Sequence, residues 1–156
     1  MFAARFQRAE TFKNLMEVVK NLVQDCNIAI SPQGLSIQSL DSSHVAMVHL
    51  EYLIHGFDHF ECSSNFMIGL NLYSLSKLLK IINDDDILTL KATKESDKLD
   101  LFVEQPDQTS MAHYFITLMN IDSEVVTIPE LDYTNRVYLS SKKFQTFLQK
   151  MSTFGN

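Results

Sequence analysis

Asp41, Ser42, Ser43 and His44 stand in direct succession between two apolar runs, in the stretch LDSSHVAMV that opens at Leu40. Carboxylate, serine and histidine are the groups of acyl transfer, where histidine takes the serine proton and the acid orients the histidine. That chemistry requires base and nucleophile within hydrogen-bond reach. In an extended strand Ser42 and His44 are two rises apart, roughly 6.6 Å, too far to share a proton. A turn in which Asp and Ser bond their own backbone explains the same residues. A Ser-His hydrolase would turn over esters and lose that turnover in His44→Ala; the expectation is no turnover and no enzyme.

His55, His59 and Cys62 are of metal-ligating type, but they lie across a bend and a strand and lack a clear fourth ligand. Asp84, Asp85 and Asp86 have neither the glycine nor the spaced oxygens of a calcium loop. The four glycines are scattered and form no phosphate-cradling loop. No metal and no cofactor is expected.

The elements that must position these residues follow from periodicity. Phe2, Ala4 and Phe6 alternate with Ala3, Arg5 and Gln7, a half-buried strand. Phe12, Leu15, Met16, Val19, Leu22 and Val23 recur at helical spacing, which predicts a helix over 9–24. IAI, LSIQSL, VAMVHLEYL and FMIGL read as four strands in close succession, an antiparallel sheet. A second helix is expected over 72–82 with Asn71 as its N-cap, and ILTLKA, KLDLFVE and MAHYFITLM as three more strands.

Residues 120–135, NIDSEVVTIPELDYTN, carry four carboxylates and Pro129 yet keep apolar anchors, and read as a connector. Beyond it RVYLS and SKKFQTFLQKMSTF overlay the first strand and helix at a constant offset of 132 residues, pairing Phe12 with Phe144 and Met16 with Leu148. The reading is an internal repeat of about 130 residues. A strand and helix without their sheet cannot bury an apolar face, so the expectation is a fragment of a protein nearer twice this length.

Composition narrows the class. The chain has 156 residues, 46% of them hydrophobic, enough for one well-buried domain. No apolar run approaches the ~20 residues of a membrane helix, and Cys26 and Cys62 suit reduced thiols, so a soluble intracellular protein without membrane partners is expected. The net charge of −6 argues against a uniformly basic nucleic-acid binder. Its distribution is uneven. The three expected helices carry Lys13, Lys20, Lys77, Lys80, Lys142, Lys143 and Lys150 against Glu10 and Glu17, a surplus of five positive charges. The remaining residues carry six bases against seventeen acids. Lysines that only solubilise a helix account for any one helix alone; three together suit a layer facing a polyanion, tracking phosphates without reading bases.

These residues resemble the proliferating cell nuclear antigen (PCNA) family of eukaryotic sliding clamps. The matching stretches are MFAAR at the start, SIQSLDSSHV, GFDHFEC, MIGLNLYSLSKLLK, DDILTLKA, the strand around Tyr114, and IPELDY, together spanning essentially all 156 residues. The resemblance implies an α+β processivity-clamp (DNA clamp) fold, with antiparallel sheets outside and helices facing a central DNA channel. It divides the chain into a first clamp domain (1–117), an interdomain connector (118–134), and the first strand and helix of an incomplete second domain (135–156).

By the same resemblance the protein is a nuclear processivity factor that encircles double-stranded DNA without sequence preference. It tethers DNA polymerases, the clamp loader, nucleases and ligases through their PIP-box peptides in DNA replication and repair, and is a homotrimer if the second domain is present. Lys13, Lys20, Lys77 and Lys80 match the DNA-facing bases, whereas Asn14, Thr146, Gln149 and Thr153 stand where the family commonly has basic residues or histidine, which implies a weaker grip there. Leu40, Val45, Met47, Val126 and Ile128 match the apolar pocket of the peptide groove, with His44 beside the peptide's polar leading end. Tyr114 matches the strand at the subunit interface. Two alternatives stay open: a truncated or divergent paralogue that binds peptides without encircling DNA, and a checkpoint-type clamp subunit.

Overall fold

The alternating and helical periods in the sequence produce nine strands and three α-helices, with one 3-10 turn at Ile54–Gly56, among the residues described by the computed structural model, 1–122 and 132–154. The chain divides into two compact units, Met1–Val125 and Val126–Asn156.

In the first unit the strands are β1 (Phe2–Phe6), β2 (Asp25–Ser31), β3 (Gly34–Leu40), β4 (Met47–Leu53), β5 (His59–Cys62), β6 (Phe66–Asn71), β7 (Ile87–Ala92), β8 (Lys98–Glu104) and β9 (Met111–Thr117). Helix α1 (Ala9–Lys20) follows β1 and α2 (Leu72–Leu79) follows β6. The four strands expected in close succession form one antiparallel sheet, ordered β4-β3-β2-β6. The other five form a second antiparallel sheet, ordered β5-β1-β7-β8-β9.

The first helix ends at Lys20 and the second at Leu79, each short of the expected end. Val23 and Ile82 nevertheless stay buried, so the apolar period outlasts the helix: core positions are filled from the turn that follows. Strand β5 directly follows the His55–Asp58 bend and carries His59 and Cys62. It is a strand because β1 supplies a ladder for it, pairing Phe2 with Cys62 and Arg5 with His59. Asn71 caps α2 as expected, its Oδ1 accepting from the Ser74 N–H at 2.9 Å.

One core joins both sheets and both helices. Phe12, Met16 and Val19 of α1 and Leu72, Leu75 and Leu79 of α2 are buried with Phe2, Phe6, Ile28, Ile37, Leu90 and Leu101. The helices pack on each other as well, so the lysines that fall off the buried stripes occupy one helical pair.

In the second unit α3 (Ser141–Ser152) begins and ends 132 residues after α1 begins and ends. Its Phe144, Leu148 and Met151 are about half exposed, where the matching Phe12, Met16 and Val19 are buried. Residues 136–140 enter no β-ladder, although their composition suggests a strand. A strand exists only by pairing, and the described residues offer this segment no partner.

Candidate functional site

Four lysines come together on the α1–α2 pair, in two different states. Lys13 Nζ donates to the Ile82 carbonyl at 2.9 Å and pairs with Asp84. Lys20 Nζ donates to Glu17 Oε2 at 2.5 Å and to Ser76 Oγ at 3.2 Å, tying α1 to α2. Both are tethered. Lys77 instead places its ammonium 4.3 Å from the centre of the Tyr73 ring, a cation–π contact that leaves its protons to solvent. Lys80 has no ion pair among the described residues. Lys13 and Lys80 line one shallow depression of about 50 Å³ between the helices, together with Met16, Glu17, Ser76 and Leu79.

The Asp41–Ala46 corner joins β3 to β4, and its Asp41 and Ser43 side chains are bonded within the loop. Asp41 Oδ1 accepts from the N–H groups of Val45 and Ala46, each at 2.8 Å, while Oδ2 accepts from the Ser43 hydroxyl. These donors, the Ser43 hydroxyl foremost, hold the Asp41 carboxyl down at about 2. His44 turns the chain with a φ of 57°, and its N–H donates to the Asp41 carbonyl at 2.9 Å. Ser43 therefore serves Asp41, and among the described residues no hydrogen bond joins a serine of this loop to the imidazole.

The loop presents what it does not use. Val45 is 87% exposed at the tip. Leu40 and Met47 are directly paired across β3 and β4, so the two apolar groups flank the loop's neck. Leu40 also lines a cleft of about 740 Å³ with Lys20, Leu22, Gln24 and Tyr73. Val126 and Ile128 lie outside the described residues.

Tyr114 lies on β9, at the edge of the five-stranded sheet and opposite Leu101 of β8. It is half-buried on the core side, and its exposed neighbours Met111, His113 and Phe115 occupy the other face. His113 stacks on Phe102 with ring centres 4.4 Å apart and bonds Asp100 at 2.8 Å. No cluster of three or more His, Cys, Asp or Glu that could hold a metal is found among the described residues. His59 instead pairs with Glu61.

The family model described as proliferating cell nuclear antigen, N-terminal domain, matches residues 1–126. The chain belongs to the PCNA family. It is 37% identical over 145 residues to a proliferating cell nuclear antigen from Chaetomium thermophilum, a match covering 93% of this chain and 56% of that relative. The chain thus spans about half the length of the curated relative it matches.

With two antiparallel sheets and helices packed on them, the first unit has the α+β clamp-domain fold of the PCNA family. Sequence reasoning missed three groups beside its candidate sites. Asp84 and Ser76 engage Lys13 and Lys20, and Tyr73 engages Lys77. The Tyr73–Lys77 contact was detectable as an i, i+4 pair on one helix face. The Lys13–Asp84 pair, 71 residues apart, carried no local signal.

Proposed function

We propose that this chain forms part of a DNA sliding clamp, a non-enzymatic processivity factor that encircles duplex DNA and tethers replication and repair proteins in the nucleus. The observation that carries the reading is the gathering of Lys13, Lys20, Lys77 and Lys80 on one packed helical pair of a PCNA-family domain with net charge −6. Scattered ammonium groups on a helical surface track phosphates without reading sequence, which is what a ring that slides requires.

The peptide groove of this reading uses Leu40, His44, Val45 and Met47, with Val126 and Ile128 from the connector. PIP-box segments of polymerases, the clamp loader, nucleases and ligases would dock an aliphatic and two aromatic anchors there. Met47 suits many clients, because an unbranched thioether repacks around different shapes. Tethering raises the effective concentration of each client at its DNA. The domain division remains 1–117, 118–134 and 135–156, and Tyr114 sits on the strand proposed to pair with the next subunit of a homotrimer.

The test is retention of the complete native polypeptide, loaded on closed circular duplex, before and after the circle is cut. Retention that ends on linearisation supports encirclement. PIP-peptide binding without any retention would replace the clamp by a peptide-binding module, and retention only with a different subunit would make it a checkpoint-type component.

A further inference from the structure

The four lysines differ in what surrounds them: Lys20 meets Glu17 of its own helix, whereas Lys13 meets a segment that follows α2. Its ammonium meets a carboxylate and a carbonyl that belong to one short segment, Ile82 to Asp84. That segment is fixed independently of the lysine. The Glu10 N–H donates to the Asp84 carbonyl at 3.1 Å and the Ala9 N–H to the Asp86 carbonyl at 2.7 Å, docking the turn on the first turn of α1. Asp86 is buried and accepts from the Asn83 N–H at 2.9 Å, which holds the turn from within. Arg8 secures Asp85 at 3.0 Å. The Asp84 backbone therefore stands where it does whether or not Lys13 reaches it, which keeps the carboxylate within reach of the ammonium.

Resting on the sliding-clamp reading, we propose that Asp84 is an internal competitor of the DNA phosphate for Lys13, and so a positioning residue that loosens the grip of α1 on the duplex. A carboxylate paired with the ammonium cancels most of its charge as seen by a passing phosphate and repels that phosphate directly. Among the described residues no such carboxylate pairs with Lys77 or Lys80, so they supply the larger part of the attraction. A surface that must hold a duplex and still slide benefits from interactions that are each easily exchanged.

The experiment measures duplex affinity across a salt series with the complete native polypeptide and random-sequence duplex. Asp84→Asn keeps a hydrogen-bond acceptor for Lys13 and removes the charge. We expect about threefold tighter binding, the scale of an exposed ion pair. The slope of log affinity against log salt should steepen by about 0.9, the increment for one more neutralised phosphate. Lys13→Ala alone leaves the Asp84 carboxylate unpaired and should weaken binding, and Lys13→Ala added to Asp84→Asn should return the affinity to about that of the parent protein. Asp84 is exposed, so thermal melting of Asp84→Asn serves as the folding control.

An unchanged slope in Asp84→Asn, with Lys77→Ala and Lys80→Ala still weakening binding, overturns the competitor role and leaves the clamp reading intact. Binding that is insensitive to Lys77→Ala and Lys80→Ala as well overturns the DNA-facing assignment itself, and the competitor role with it.

Discussion

Lys20 on α1 donates to Ser76 on α2 across 3.2 Å, joining two helices whose bonded residues are 56 positions apart. The bond fixes where the Lys20 charge sits relative to Lys77, one residue beyond Ser76. Replacing Lys20 and Lys77 together by Ala is expected to weaken duplex binding uniformly across sequences. The salt slope should fall by about 0.9 for each phosphate that is no longer neutralised. A slope equal to that of the parent protein would contradict the DNA-facing assignment.

Asp41 organises the corner between β3 and β4 through donors that favour its ionised form. Its carboxyl is held at about 2 against an ordinary 3.8, so its contribution to loop order is complete above about pH 4 and is lost as pH falls through 2. Asp41→Ala should release Val45 and Ala46 at neutral pH, visible as faster amide exchange at both, and should weaken PIP-peptide binding while duplex binding stays unchanged. Protection of those amides in the variant would show that the backbone alone sets the corner.

Gly69 on β6 lets the segment after β9 come close. Its amide partner is Met119, whose N–H donates to the Gly69 carbonyl at 2.8 Å, and a Cβ at this position would stand 2.2 Å from the Met119 carbonyl oxygen. Asn27 Nδ2 holds the Ile121 carbonyl at 2.9 Å just beyond. Gly69→Ala should cost about 2 kcal/mol or more in denaturant unfolding, because backbone must move. The displaced residues open the proposed connector, 118–134, so peptide affinity should fall too.

Cys26 and Cys62 should part company in thiol labelling. Burial raises the Cys26 thiol to about 12, leaving almost no thiolate at neutral pH. Cys62 is half-buried, with Sγ donating to the Ser64 carbonyl at 3.2 Å. Of these two cysteines the folded protein should label Cys62 alone, a signal lost in Cys62→Ser; rapid labelling of Cys26 would place it outside the core.

Arg5 of β1 forms two 3.0 Å bonds to Glu104 of β8 across the intervening β7. The paired geometry, led by its hydrogen bonds, holds the Glu104 carboxyl below its ordinary value. Arg5→Lys keeps the charge and loses the fork, with an expected loss of about 0.5 kcal/mol since both groups are partly exposed. That increment should be present above about pH 4.5, the ordinary carboxyl value, and fade as pH falls below it. A stability difference that persists unchanged at low pH would show that packing, not the ion pair, is responsible.

The strands and helices were largely legible because their periods are local. Phe12, Met16 and Val19 announce α1 in a dozen residues, and the alternation of Cys26, Ile28 and Ile30 announces β2. Strand β5 was legible only as a short stretch beyond the His55–Asp58 bend, since HFEC is too short to carry a period and its pairing with β1 is remote in the chain. The Asp41 corner was legible as turn chemistry, its residues bonding one another within a few positions.

The sequence by itself determined the lysines, their place off the apolar stripes of three helices, and the offset that relates Ala9–Lys20 to Ser141–Ser152. Only the tertiary structure decided that Lys13 is tethered to Asp84, that Lys20 is tied to Ser76, and that Leu40 shares a cleft with Tyr73. The physical reason is range. Side-chain period is set by backbone geometry within a few residues, whereas a charge is neutralised by whatever the fold brings within a few ångströms of it.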